Sequence, residues 1–217
     1  MTEAHPSLPH LTRHQRDLAS YKTNVSRSAE ARFGPAWWGA WEQHLSLEPD
    51  ATIVDLGAGP GTLLSLLRGR LPRARLIGVE LQPELLAMGL ARTEGLDVAL
   101  IQADLGEPLP LPEAFADVVV STLTLHELPY PPALLTAARR ALRPGGRLVL
   151  YDVVRRPLET YLRDKAMSPD LLDHFREHSL FTSEDLTWLV MEAGFEVQEV
   201  VGRHGGQFAM IFATRGP

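Results

Sequence analysis

Thr52-Ile-Val-Asp-Leu-Gly-Ala-Gly-Pro-Gly61, which runs directly into Thr62-Leu-Leu-Ser-Leu-Leu67, decides how this chain is read. An apolar strand ends in an acidic residue, Asp55. Gly57, Gly59 and Gly61 then alternate with other residues, and an apolar helix begins. Glycine at that spacing lets the backbone turn sharply and lets a ligand approach without meeting a Cβ atom. Glu80 closes the next apolar strand, Arg75-Leu-Ile-Gly-Val-Glu80. It follows at the separation of about 20 residues at which α/β nucleoside-binding folds set a carboxylate over ribose hydroxyls. The expected ligand is a nucleoside cofactor.

The alternation continues outward from this stretch. Strands are expected at 51–55, 75–80, 97–102, 116–121 and 147–153, and helices at 61–71, 83–91 and 132–142. Pro83 suits a first helical turn, and Arg143-Pro-Gly-Gly146 stops the third helix. Thr182 with Asp185 three residues on reads as a capping box that opens a helix ending near Gly194. The runs 195–201 and 207–214, joined by His204-Gly-Gly206, read as an antiparallel pair. Strands alternating with helices imply an α/β fold, a Rossmann-like doubly wound sheet. Its seven strands are mostly parallel, with the antiparallel pair at the C-terminal end. Residues 49–217 form this domain, with an insertion at about 155–180. In residues 1–48, Leu11, Leu18, Tyr21, Val25, Ala29 and Phe33 recur at helical spacing, ahead of Trp37, Trp38 and Trp41. That segment is expected to be a helical lid over the binding rim.

Composition narrows the function classes. The chain has 217 residues, 45% of them hydrophobic and 22% charged, which suits one globular domain with a substantial core. A net charge of −6 argues against nucleic acid as a partner, because phosphate neutralisation needs a basic face. No cysteine is present, so disulfides, thiolate metal sites and cysteine nucleophiles are absent from this sequence. No apolar run approaches a membrane span, and the N-terminus lacks a signal-peptide pattern, so a cytoplasmic protein without a membrane partner is expected. Nothing in the sequence indicates an oligomeric state.

Dinucleotide folds use G-x-G-x-x-G, whereas the spacing here is G-x-G-x-G after Asp-Leu. The motifs Val54-Asp-Leu-Gly-Ala-Gly-Pro-Gly61, Gly78-Val-Glu80, Gln102-Ala-Asp104, Asp117-Val-Val-Val-Ser121 and Leu142-Arg-Pro-Gly-Gly146 occur in order. On these residues the chain resembles the class I S-adenosylmethionine-dependent methyltransferases over roughly 50–153, and more weakly over the last two strands. The resemblance implies S-adenosylmethionine as cofactor and S-adenosylhomocysteine as product. It implies that Gly57, Gly59 and the backbone of Ala58 between them contact the methionine part, that Gly61 belongs to the same cofactor site, and that Asp55 lies near the amino group. Glu80 would accept the ribose hydroxyls, Leu81 would lie against adenine, Asp104 would receive the adenine amino group, and Leu105 and Ser121 would complete the wall. The chemistry is sound independently, since one carboxylate can accept two hydroxyl donors. Structural readings stand beside these. Asp55 and Glu80 could cap strand ends, Asp104 could serve a turn, and the glycines could make a plain tight turn.

For catalysis the candidate is His126 in Ser121-Thr-Leu-Thr-Leu-His-Glu-Leu128, a general base near neutral pH if it faces the acceptor. Its alternative is to shape the loop. Tyr21, Tyr151 and Asp152 are further pocket candidates. Trp37, Trp38 and Trp41 could wall a pocket, although helix packing explains them. His174 and His178 lack the H-E-x-x-H order, and no third ligand is evident, so no metal is expected. The Asn/Asp-Pro-Pro-Tyr/Phe motif of base-amino methylation is absent, since Pro129-Tyr-Pro-Pro132 comes too late and in the wrong order. The leading expectation is methyl transfer to a small-molecule acceptor by in-line displacement. The alternatives are a protein or RNA methyltransferase, a non-catalytic cofactor-binding protein, or an adenine-dinucleotide oxidoreductase.

Overall fold

A parallel strand covered on both faces must offer apolar side chains to both, and the runs Ile53-Val54, Leu76-Ile77, Val118-Val119 and Leu148-Val149 do so. In the computed structural model, which describes residues 23, 27–29, 31–162, 167–169, 172, 175 and 178–216, neighbouring residues of each run enter opposite faces of one sheet. Val54, Ile77, Val119 and Leu148 join one core cluster, and Ile53, Leu76, Val118 and Val149 join the other.

The elements are α1 (Pro35–His44), β1 (Thr52–Leu56), α2 (Thr62–Arg70), β2 (Arg75–Glu80), α3 (Pro83–Arg92), β3 (Val98–Gln102) and β4 (Ala116–Thr122). A 3-10 turn (Leu125–Glu127), α4 (Pro132–Ala141), β5 (Leu142–Val153), α5 (Leu158–Leu162), α6 (Ser183–Glu192), β6 (Phe195–Arg203) and β7 (Phe208–Arg215) follow. The sheet order is β3-β2-β1-β4-β5-β7-β6. β1 pairs in parallel with β2 and β4, and β7 pairs antiparallel with both β5 and β6. The chain reverses direction of winding beside β1, so the crevice past the carboxyl ends of β1 and β4 is the ligand-binding position of such a sheet.

The seven strands and the antiparallel pair match the sequence expectation, and the capping box is present. Asp185 N–H donates to Thr182 Oγ1, and Thr182 N–H donates to Asp185 Oδ2, each at 3.1 Å. Differences have local causes. β5 begins at Leu142 instead of 147 because Leu142 already pairs with Ala116, and the ladder shifts register before Val118 meets Arg147. α1 packs into the core, while Ser28, Ala29, Arg32 and Phe33 just before it line the cavity described below. Trp37 packs edge-on to Phe33 and Tyr151 with centroids 4.9 and 5.4 Å apart, and Trp38 Nε1–H donates to the Phe33 carbonyl at 2.9 Å. All three tryptophans of this helix are buried with the sheet residues Val149, Met210 and Phe212. Leu11, Leu18, Tyr21 and Val25 lie outside the described residues, as does His174.

Trp37 is 1% exposed. Trp37→Ala is expected to lower unfolding free energy by about 3–5 kcal/mol, because transfer and cavity costs add at such a site. Urea unfolding checks this, and a loss below about 1 kcal/mol would mean that α1 is not part of the cooperative core.

Candidate functional site

The turn after β1 is locked onto β2. Gly57 and Ala58 N–H groups both donate to the Val79 carbonyl at 2.9 Å. Gly57 has φ +80°, and a Cβ there would overlap the Thr124 side chain, so the position accepts only glycine. Gly61 has another purpose. It caps α2 with φ +69°, and a Cβ would stand 3.1 Å from Gly89 Cα, so it sets the close approach of α2 to α3.

Around this turn lies a cavity of about 360 Å³, within the range of about 300–1,000 Å³ usual for small-molecule sites. Asp55, Gly57, Ala58, Gly59, Glu80, Leu81, Asp104, Leu105 and His126 all face it. Two expected residues do not line it. Gly61 packs between helices, and fully buried Ser121 donates its hydroxyl to the Leu56 carbonyl at 2.8 Å, tying β4 to β1.

Glu80 is the best-held polar group of the wall. Its Oε2 accepts the Gly59 N–H and its Oε1 the Gln82 N–H, each at 2.8 Å. Burial raises its pKa, and these backbone donors oppose the rise. Each oxygen retains a lone pair for a further donor. Asp55, 2% exposed, is pushed up to about 7 by burial, with Arg32 opposing and the Glu80 charge adding to the rise. Among the described residues, Asp55 Oδ1 and Gln82 Nε2 are buried without a hydrogen-bond partner. Asp104 Oδ1 accepts the Gly106 N–H at 2.6 Å, which fixes the turn after β3. These are groups a polar ligand would satisfy: an acceptor beside Arg32, two lone pairs on the Glu80 carboxylate, and an amide donor.

The far side of the cavity is built from segments distant in sequence. Arg32 Nη1 donates to Thr122 Oγ1 at 2.5 Å, and its guanidinium lies 5.8 Å from the Tyr151 ring centroid. Burial lowers the Arg32 pKa, against the pull of Tyr151, Asp55 and Asp152. Leu123, at φ +54°, turns the chain out of β4 and into the 3-10 turn that carries His126 and Glu127. His126 Nδ1 lies 2.5 Å from Asp152 Oδ1, and the Leu125 N–H donates to Asp152 Oδ2 at 2.9 Å. Burial alone would lower the His126 pKa. The charge of Asp152 and its hydrogen bond, together with Glu127, outweigh that and hold the pKa up to about 10. The two flanking carboxylates thus favour the charged form of the His126 ring in the ligand-free protein. The sequence does not single out Arg32, Gln82 or Thr124, and no spacing could, since Arg32 and Thr122 stand 90 positions apart.

A family model described as a methyltransferase domain matches residues 23–200. The chain is 30% identical over 158 residues to an arsenite methyltransferase of Halobacterium salinarum, covering 71% of this chain and 40% of that protein. It is 35% identical to a trans-aconitate 2-methyltransferase of Methylobacterium nodulans, over 57% of this chain and 47% of that one. The chain thus spans about half the length of the curated relatives it matches. Among solved structures, the Haloferax volcanii complex of the Trm112 methyltransferase activator with a methyltransferase aligns with TM-score 0.71 at 18% identity, over 89% of this chain and 96% of that one. Geranyl diphosphate C-methyltransferase of Streptomyces coelicolor A3(2), solved with Mg2+, geranyl diphosphate and S-adenosyl-L-homocysteine, aligns with TM-score 0.68 at 18% identity, over 85% and 78% of the two chains. At that identity the likeness is one of fold.

Asp55 yields a pH prediction. Its folded pKa of about 7 exceeds an unfolded value of about 3.9. The associated stability is present below the unfolded value and is lost as pH rises through 7. Asp55→Asn does not titrate, so its stability relative to the parent is expected to improve by about 2–4 kcal/mol from pH 4 to pH 8. Urea unfolding of both proteins without ligand measures this, and a pH-independent difference would refute it.

Proposed function

The chain belongs to the class I S-adenosylmethionine-dependent methyltransferases, and on that premise we propose that it methylates a small-molecule acceptor by in-line displacement, with S-adenosylhomocysteine as product. The observation that carries this reading is the pair of buried carboxylates, Asp55 and Glu80, at the ends of β1 and β2 on one cavity. When bound, the cofactor supplies a methyl group activated by a sulfonium. The chain's own residues fit that group. Glu80, fixed by two backbone donors, directs its remaining lone pairs to the ribose hydroxyls. Asp55 offers an unpaired buried oxygen to a cationic amino group, and Arg32 brings a guanidinium to the same wall for a carboxylate. Leu81, Asp104 and Leu105 border the adenine position.

The acceptor end is bounded by Phe33, Leu123, Leu128 and Pro129, with His126 and Glu127 as its polar groups. An apolar wall with few polar groups suits a small acceptor and excludes water from the displacement. Methyl transfer then depends on placement more than on proton abstraction. His126, held by Asp152 and Glu127, positions the acceptor in this reading. Relatives named for trans-aconitate and demethylmenaquinone support a small-molecule acceptor.

Calorimetric titration with S-adenosylmethionine, S-adenosylhomocysteine and NAD tests the proposal. Micromolar binding of the first two is expected, weakened about 10–100-fold in Glu80→Gln, the loss appropriate to hydrogen bonds made to a charged group. Tighter binding of NAD, or unchanged affinity in the variant, would refute it.

A further inference from the structure

At the acceptor end, beyond the groups assigned to the cofactor, three side chains turn ligand atoms toward one point. His126 Nε2 lies 3.3 Å from Glu127 Oε1, and His178 Nε2 lies 3.5 Å from that same oxygen. All three atoms are within 4.8 Å of one another. Two ligands about 2.1 Å from a tetrahedral ion stand about 3.4 Å apart, so two of the three edges already have coordination spacing. The third edge, between the histidines, is no longer than 4.8 Å. We propose that His126, Glu127 and His178 bind a divalent transition ion, with zinc best suited to the donor set, and that its remaining coordination positions open onto the cavity.

The surroundings support a built site. His126 and Glu127 are consecutive on the 3-10 turn and both line the cavity. His178 comes from a separate segment that is pinned to the turn, where the Ser179 N–H donates to the His126 carbonyl at 2.9 Å. The His126 and His178 rings stand 5.4 Å apart between centroids. Asp152 supplies the outer support that metal-binding histidines usually have. It receives His126 Nδ1 and thereby fixes Nε2 as the ligand atom. Asp152 is itself held by the Leu125 and Val153 N–H groups, at 2.9 and 2.7 Å. Two imidazoles and one carboxylate form a donor set of zinc enzymes that leaves a position open, whereas magnesium and calcium favour oxygen donors. The sequence offered only His174 and His178 as a pair. The third donor emerges because folding brings Glu127 beside His178.

Such an ion would hold an oxygen-bearing acceptor at this end of the cavity, and that part alone rests on the methyltransferase reading. A protonated His126 bridging Asp152 and Glu127 accounts for the same distances without an ion, and titration separates the two. The chelator-stripped protein is titrated with Zn2+ by calorimetry and with Co2+ by visible absorption, with no cofactor added. One equivalent is expected to bind at micromolar strength or tighter. His178→Ala and Glu127→Gln should each weaken it about 100-fold or more, and Asp152→Asn about 10–100-fold. Circular dichroism and S-adenosylmethionine titration of His178→Ala report whether that variant is folded. The Co2+ spectrum in Glu127→Gln gives an independent second reading. Absence of Zn2+ binding below about 1 mM, or one equivalent bound unchanged in both ligand variants, overturns the proposal. Failure of the parent protein to bind S-adenosylmethionine would instead sink the methyltransferase reading and leave the metal result standing.

Discussion

The site depends on the capture of Glu80 by two backbone N–H groups. Gly59 belongs to the turn after β1 and Gln82 to the entry of α3, so one carboxylate joins two loops at the end of the sheet. A carboxylate is costly to bury unless donors meet it. Here the donors come from backbone that the strands have already fixed, since Gly57 and Ala58 hang from the Val79 carbonyl one residue before Glu80. The same geometry that shapes the glycine turn therefore orients the acidic group, and neither can be altered alone.

Asp55 and Arg32 represent a different kind of placement. Asp55 is fully enclosed, and its nearest compensation is a guanidinium that arrives from a segment outside the sheet. The ligand-free protein thus keeps an imperfectly compensated acid at its centre. Local instability of this kind is common where a charged ligand completes the arrangement.

Much of this was legible in the sequence because it was local. Apolar runs gave the strands, Gly57, Gly59 and Glu80 fell at a spacing that few folds require, and Thr182 with Asp185 announced its helix. Roles within those motifs were less legible. Gly61 and Ser121 share the motif with the cavity residues but are spent on packing and strand ties, a distinction that depends on which way each faces. The tryptophans of α1 read equally well as pocket or core, because aromatic spacing on a helix is the same in both. Contacts that join distant segments, such as Arg32 with Thr122, Asp152 with His126 and Glu127 with His178, leave no periodicity to detect.

The sheet order carries a consequence for how the protein is made. β6 precedes β7 in the chain, yet among the described residues its only neighbour in the sheet is β7, which fills the gap beside β5. During synthesis β6 emerges with no strand to join, and the edge of β5, with its apolar Leu148 and Leu150, stays unpaired until Phe208–Arg215 follows. An open edge of that kind invites association with other chains. The interval in which the nascent chain is vulnerable thus runs from the completion of β5 to the insertion of β7, and the hairpin at His204-Gly-Gly206 is the event that ends it.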